Sequence, residues 1–311
     1  MLKKLTKVVF VGCALLLAAV AQARDIPAIV SVDWLSANLG DPDLIVLDVR
    51  LEPDYTLGHI PNAVSEPFVV PFSAWITMRD DLLLELPDDS EIESTIQALG
   101  MDESKKVVVV SAPNEGEPPH YGMAAATRVA DTLIYAGIDN VAILDGGYGK
   151  WLADDKPVSE EIPQITPSSF SGDFKTEMYV SQSYLLMHAW HSSLIDARDA
   201  DVFFGVVVEP FADQAGHIFS AKSLPAPWAY TNSMPGVYEF QTEETLAAMA
   251  KGVLGWGHHT RKEIIIYCGV GGYTSVWWYL FTQVLGYEKV KFYDGSAQEW
   301  ARNYELIPYR W

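Results

Sequence analysis

The sequence predicts an α/β protein made of two tandem copies of one domain, each a mostly parallel sheet with helices on both faces. Two patterns carry that prediction. Short apolar runs bounded by turn residues alternate with segments of helix length, and the whole series of runs and turns occurs twice in the same order.

The strands come first. "LIVLDVR" at 44–50 returns as "SLIDAR" at 193–198, and "VVVVS" at 107–111 returns as "IIIYC" at 264–268. "VVVV", "IIIY", "VAIL" and "VKFY" are too short for helices and apolar on both sides of the pleat, as parallel strands covered on both faces must be. Between them, "YGMAAATRVADTLIYAG" and "SVWWYLFTQVLG" read as helices that end at Gly137 and Gly286. The flanking segments repeat as well. "VSVDWL" returns as "VSQSYL", "GHIPNAVSEPF" as "GHIFSAKSLPAPW", and "LIYAGIDNVAILDGGYGKW" as "FTQVLGYEKVKFYDGSAQEW". The Pro/Ser/Glu-rich stretch 156–174 has the composition of a surface linker. The division expected is a leader at 1–23, a first copy at 24–157, a linker at 158–178 and a second copy at 179–311.

The leader has the three parts of a secretory signal: the basic "MLKKLTK", the apolar "VVFVGCALLLAAV", and the small-residue site Ala21-Gln22-Ala23. The apolar run falls short of the roughly 20 residues that a spanning helix needs. A cleaved signal peptide and a periplasmic or secreted protein with no membrane span after processing are therefore expected, with a lipoprotein acylated at Cys13 as the rival. Cleavage removes Lys3, Lys4 and Lys7 and no acid, so the formal charge moves from −20 to −23. Such an acidic chain is a poor partner for nucleic acid or anionic lipid, both of which need dense Lys/Arg.

Of the two cysteines, Cys13 leaves with the leader and Cys268 stays unpaired. A lone cysteine is ordinarily an inert core residue. Its setting argues otherwise, because it ends a strand where α/β sheets collect ligands. The loop Gly269-Val270-Gly271-Gly272-Tyr273-Thr274 can curl successive N–H groups into an anion nest, and a helix begun near Ser275 adds its positive end. Both features favour a thiolate. No lysine or arginine stands in the loop, so backbone dipoles carry that task. No His, Cys and carboxylate set has metal-ligand spacing, and no metal or other cofactor is expected.

The chain as a whole resembles the tandem-domain rhodanese family of sulfurtransferases, of the thiosulfate or 3-mercaptopyruvate type. The resemblance rests on Asp48-Val49-Arg50 and Asp196-Ala197-Arg198, on Gly58-His59-Ile60 and Gly216-His217-Ile218, on Tyr267-Cys268-Gly269, and on the paired "DGGYGKW" and "DGSAQEW". It implies that only the second copy is active. Cys268 would be the catalytic residue, taking a sulfane sulfur from a small donor as a persulfide and passing it to a thiol, to cyanide or to a protein acceptor. Gly269, Val270, Gly271, Gly272, Tyr273, Thr274, Arg198 and Phe211 would contact substrate, with bracing of the loop through Asp196 as the competing role for Arg198. Ser111 stands where the first copy would carry the cysteine, and the "APNEGEPPHYG" after it lacks the nest.

The departures concern substrate. Thiosulfate-type members carry basic residues in the loop, where this chain has Gly269 and Val270. Mercaptopyruvate-type members carry serine at the position of Val270 and carboxylate-binding arginines where Val202 and Phe211 stand. A periplasmic sulfur carrier or partner-binding module with little turnover on small donors is therefore the alternative. The loop also reads as six or seven residues. The longer form belongs to phosphate- and arsenate-handling relatives, which need an arginine where this chain has Thr274.

Overall fold

The computed structural model describes residues 24–113, 118, 120–255 and 262–309. The leader read at 1–23, with Cys13, lies outside them.

The first half runs β1 (Ile29–Val30), α1 (Val32–Asn38), β2 (Leu44–Asp48), α2 (Glu52–Leu57), β3 (Val64–Ser65), β4 (Thr77–Arg79), β5 (Leu82–Glu85), α3 (Asp89–Ala98), β6 (Lys106–Val110), α4 (Tyr121–Tyr135), β7 (Val141–Leu144) and α5 (Gly147–Ala153). The second half repeats the series as β8 (Tyr179–Val180), α6 (Gln182–His188), β9 (Ser193–Asp196), α7 (Ala200–Phe203), β10 (Lys222–Ser223), β11 (Tyr230–Met234), β12 (Val237–Phe240), α8 (Glu243–Leu254), β13 (Ile264–Tyr267), α9 (Gly272–Tyr279), β14 (Val290–Tyr293) and α10 (Ser296–Asn303).

Each half forms a five-stranded sheet, ordered β1-β7-β6-β2-β3 in the first and β8-β14-β13-β9-β10 in the second. Every pairing within these two sheets is parallel. The expected α/β class and the duplication are both present, and the apolar runs became strands because both faces of each sheet are covered. Val107 to Val110 and Ile264 to Tyr267 are buried throughout. Two small hairpins, β4–β5 and β11–β12, lie outside the sheets.

One apolar core runs through both halves, joining the inner faces of the two sheets by way of α4 and α9. Separate cores cover the outer faces. Polar contacts fix the crossing of α4 on α9. The Thr127 and Ser275 hydroxyls lie 2.7 Å apart, and the Tyr279 hydroxyl donates to the Ala28 and Val141 carbonyls of the first half. Arg128, fully buried in α4, pairs with Asp294 at 2.7 Å and donates to the Leu84 carbonyl. Asp294 in turn accepts from Leu86 N–H, and Gln298 bonds both Leu83 N–H and its carbonyl. A buried pair of this kind fixes geometry more than it adds stability. Its effect here is to pin the first half's β5 against the end of the second half that carries Cys268.

The helix after Cys268 starts at Gly272, three residues before the position expected near Ser275, because Gly271 adopts φ +90° and caps it. The nest and the helix N-terminus are therefore one feature.

Candidate active site

Cys268 follows the last residue of β13, and both of its backbone groups are held by α10. Cys268 N–H donates to Ser296 Oγ at 3.2 Å, and its carbonyl accepts from Ala297 N–H at 2.9 Å. Gln298 N–H takes the Gly269 carbonyl in the same way. With the carbonyls turned outward to α10, the loop's N–H groups are free to turn inward. Gly271 N–H donates to Cys268 Sγ at 3.1 Å, and the Val270 and Thr274 N–H groups also act on the sulfur. Thr274 Oγ1, buried with no nitrogen or oxygen partner, faces the sulfur as well. Gly271 can be no other residue: a Cβ there would lie 2.9 Å from Asp294 Oδ1, on a backbone conformation that other residues resist. The donors span Val270 to Thr274, so the last of them comes from the first turn of α9.

Cys268 is 2% exposed, yet it lines a cavity of about 570 Å³. Gly269, Val270, Gly272, Tyr273, Phe211 and Glu209 form the second half's share of the walls. The first half supplies the rest, including Leu51, Asp54, Phe68, Leu84 and Tyr121, together with Ser111. Tyr273 is tied across the divide by a hydrogen bond to His120 Nε2 and an edge-to-face contact with Tyr121 at 5.6 Å. Of the residues expected to touch substrate, Gly269, Val270, Gly272, Tyr273 and Phe211 line the cavity. Gly271 and Thr274 serve the sulfur instead.

Arg198 corrects the expectation. Its side chain is 1% exposed and absent from the cavity wall. It binds Asp196 at 2.6 Å, the Gly216 carbonyl at 2.7 Å, and Glu209 at 3.4 Å through Nη1. The first half repeats the device, with Arg50 on Asp48 and the Gly58 carbonyl. Arg198 is thus a brace that also orients Glu209. Val202 is buried in α7 and does not reach the cavity.

The electrostatics bring a second correction. Burial pushes the Cys268 thiol up; the Thr274 hydroxyl opposes it, Glu209 reinforces it, and the Thr274 and Val270 N–H groups oppose it. The nest is present, but desolvation outweighs it. Glu209 is itself pushed up to about 7, by burial first, with Arg198 pulling the other way and Asp196 adding to the rise. Burial also raises Tyr273, whose hydroxyl stays protonated, and lowers His120, which stays neutral near pH 7. Among the described residues no group of His, Cys and carboxylates gathers as a metal site, and no helix is long and apolar enough to cross a membrane.

Glu209 and the first half's wall are the site residues that the sequence reading missed. Glu209 carried no local signal: only the fold brings its carboxylate to 2.8 Å from where a Cβ of residue 269 would lie.

Comparison with known proteins agrees with this geometry. The model of the rhodanese-like domain matches twice, at residues 31–154 and 181–303. The sulfur carrier protein TtuD of Thermus thermophilus is 27% identical over 88% of this chain and 93% of its own length. The 3-mercaptopyruvate sulfurtransferase of Escherichia coli is 28% identical over 89% of this chain and 96% of its own. The crystal structure of SseA from Escherichia coli, described as a 3-mercaptopyruvate sulfotransferase, superposes with a TM-score of 0.69 at 28% identity, covering 87% of this chain and 99% of that one. A persulfide form of EanB shares the fold at a TM-score of 0.74 and 19% identity, over 90% of this chain and 71% of that one.

Proposed function

Because the chain belongs to the rhodanese family, with two rhodanese-like domains in tandem, we propose that it is a sulfurtransferase that moves a sulfane sulfur from a small donor to a thiophilic acceptor through a persulfide on Cys268. One observation supports this most: the single described cysteine sits at the wall of a large cavity with donors from Val270, Gly271 and Thr274 turned onto its sulfur.

The chemistry divides into two balanced steps. With thiosulfate, the Cys268 thiolate attacks the sulfane sulfur, a new S–S bond forms, and sulfite leaves with the electron pair of the broken bond. With 3-mercaptopyruvate the same attack releases pyruvate, the thiol proton ending on its methyl carbon. An acceptor thiolate or cyanide then attacks the outer sulfur and restores the Cys268 thiolate. A persulfide is a weaker base than a thiolate, so N–H groups that only partly offset burial for the free thiolate hold the charged intermediate more easily.

Intact-mass analysis after incubation with either donor tests the reading. One added sulfur is expected, absent from Cys268→Ser; a wild-type chain that stays at its original mass with both donors contradicts it.

A second reading has its own support. No lysine or arginine stands among the described cavity-lining residues to bind an anionic donor, and a relative bears the name sulfur carrier. On that reading the persulfide forms and is handed to a protein, and thiocyanate production from cyanide with either donor is negligible. The basic and apolar leader of residues 1–23 supports placing either activity in the periplasm or outside the cell.

A further inference from the structure

On the sulfur-transfer reading, the walls of the cavity over Cys268 also restrict which molecules can bring or take the sulfur. The described lining holds two carboxylates, Glu209 and Asp54, and neither lysine nor arginine. Arg198, the guanidinium that touches Glu209, is buried behind it and is also engaged by Asp196 and the Gly216 carbonyl. Four aromatic side chains, Phe68, Tyr121, Phe211 and Tyr273, share the wall. Tyr121 and Phe211 are each about two-fifths exposed and so have open surface to offer.

A carboxylate among aromatic rings in a partly desolvated cavity attracts an organic cation and repels an anion. The cavity volume of about 570 Å³ suits a molecule far larger than thiosulfate. The arrangement also bears on the sulfur. Glu209 is one of the groups that push the Cys268 thiol up, so a positive charge placed beside it would remove that opposition and favour the thiolate.

We propose that the small-molecule partner of Cys268 is an organic cation, an ammonium-bearing compound whose charge lies against Glu209 and the aromatic wall, and that Glu209 selects it. Thiosulfate and 3-mercaptopyruvate, both anions, then load Cys268 more slowly than that cation does, though they load it.

The test uses the full chain at about pH 8, where Glu209, with its pKa pushed up to about 7, is ionised, and three methanethiosulfonate reagents: methyl (neutral), 2-(trimethylammonio)ethyl (cationic) and 2-sulfonatoethyl (anionic). In each, the Cys268 thiolate attacks the sulfenyl sulfur, a mixed disulfide forms, and methanesulfinate leaves. Rates are read at the Cys268 peptide and divided by those of free cysteine. All three reagents meet the same thiolate, so changes in its ionisation cancel from their ratios. Salt at about 1 M shortens the Debye length to roughly 3 Å and suppresses the field of the net charge. The expected cationic-to-anionic ratio is at least about ten-fold above that of free cysteine, and Glu209→Gln lowers it by about five-fold or more. Asp54→Asn, at an exposed position, lowers it by about two-fold.

A wild-type ratio at or below the free-cysteine value overturns the proposal, as does a ratio that neither substitution changes. These reagents need no persulfide. A missing persulfide would therefore overturn the sulfur-transfer reading while leaving the charge preference measured, and an absent charge preference would leave sulfur transfer standing.

Discussion

Ser111 and Cys268 end equivalent central strands, β6 and β13, and each gives its carbonyl to the helix that follows the neighbouring strand, to Tyr148 N–H and Ala297 N–H respectively, both at 2.9 Å. Beyond that shared anchor the two positions diverge. After Cys268 the chain turns at Gly271 and enters a helix at Gly272; after Ser111 the helix begins only at Tyr121. Ser111 borders a gap of about 10 Å³ lined by Gly146, Gly147 and the second half's Gly236 and Tyr238, and it also lines the cavity of about 570 Å³ on which Cys268 opens. A scaffold that holds a strand end in place is thus not enough for chemistry. Both positions reach the cavity, so the difference lies in the tight glycine turn, which aims N–H groups at the side chain of Cys268. The first copy keeps the anchor and supplies a wall for the second copy's cavity.

Exchanging the nucleophiles is the most forceful way to break that contrast. Cys268→Ser should lower sulfur transfer by on the order of a thousand-fold or more, since a hydroxyl is far less ionised and less nucleophilic than a thiol. Ser111→Ala should stay within about two-fold of wild type. Thiocyanate formation measures both, and a comparable loss in the two variants would show that the copies share the chemistry.

The next effect concerns the wall. Arg128→Met removes the buried partner of Asp294, leaving that carboxylate uncompensated beside Gly271, and should cost about 3 kcal/mol in urea unfolding. Because Arg128 also holds the Leu84 carbonyl, sulfur transfer should fall with stability. A variant as stable and active as wild type would mean that the first half's wall holds its place without this pair.

The smallest effect sharpens the electrostatic side of the contrast. Glu209 has a folded-state pKa near 7, above the ordinary value of 4.5, so its protonated form favours the folded chain; that contribution is whole below about pH 4.5 and is lost as pH rises through about 7. Glu209→Gln keeps the neutral form at every pH. Its stability should match wild type near pH 4.5 and exceed it by about 2 kcal/mol at pH 8. Thermal melts across that range check this, and a constant difference at all pH values would contradict it.

Much of this molecule can be read from its residues before any coordinates. The strands were legible because both faces of each sheet are buried, which leaves unbroken runs such as Val107 to Val110 and Ile264 to Tyr267. Cys268 was legible because a glycine turn is a local property, written within a few residues of the thiol. The cavity was not, since Asp54, Phe68 and Tyr121 reach it only through the packing of α4 on α9, and no spacing along the chain records that crossing. The same reason hid the balance at the sulfur. Loop composition announces the N–H donors, but burial and the approach of Glu209 are tertiary, and together they reverse the direction that the donors alone would give. Arg198 was half legible: an arginine two residues after an aspartate suits a buried brace better than a substrate contact, and its bonds to Asp196 and the Gly216 carbonyl leave it only the brace.

On the proposed function, one sulfur atom lodged between the two copies carries another. Peptide mapping of the full chain after exposure to a sulfane donor, with the outer sulfur trapped by a neutral alkylating agent, examines it most directly. A trapped additional sulfur is expected on the peptide containing Cys268, with its release when an acceptor thiol is added before trapping; a Cys268 peptide alkylated without the additional sulfur under every donor tried would rule the persulfide out.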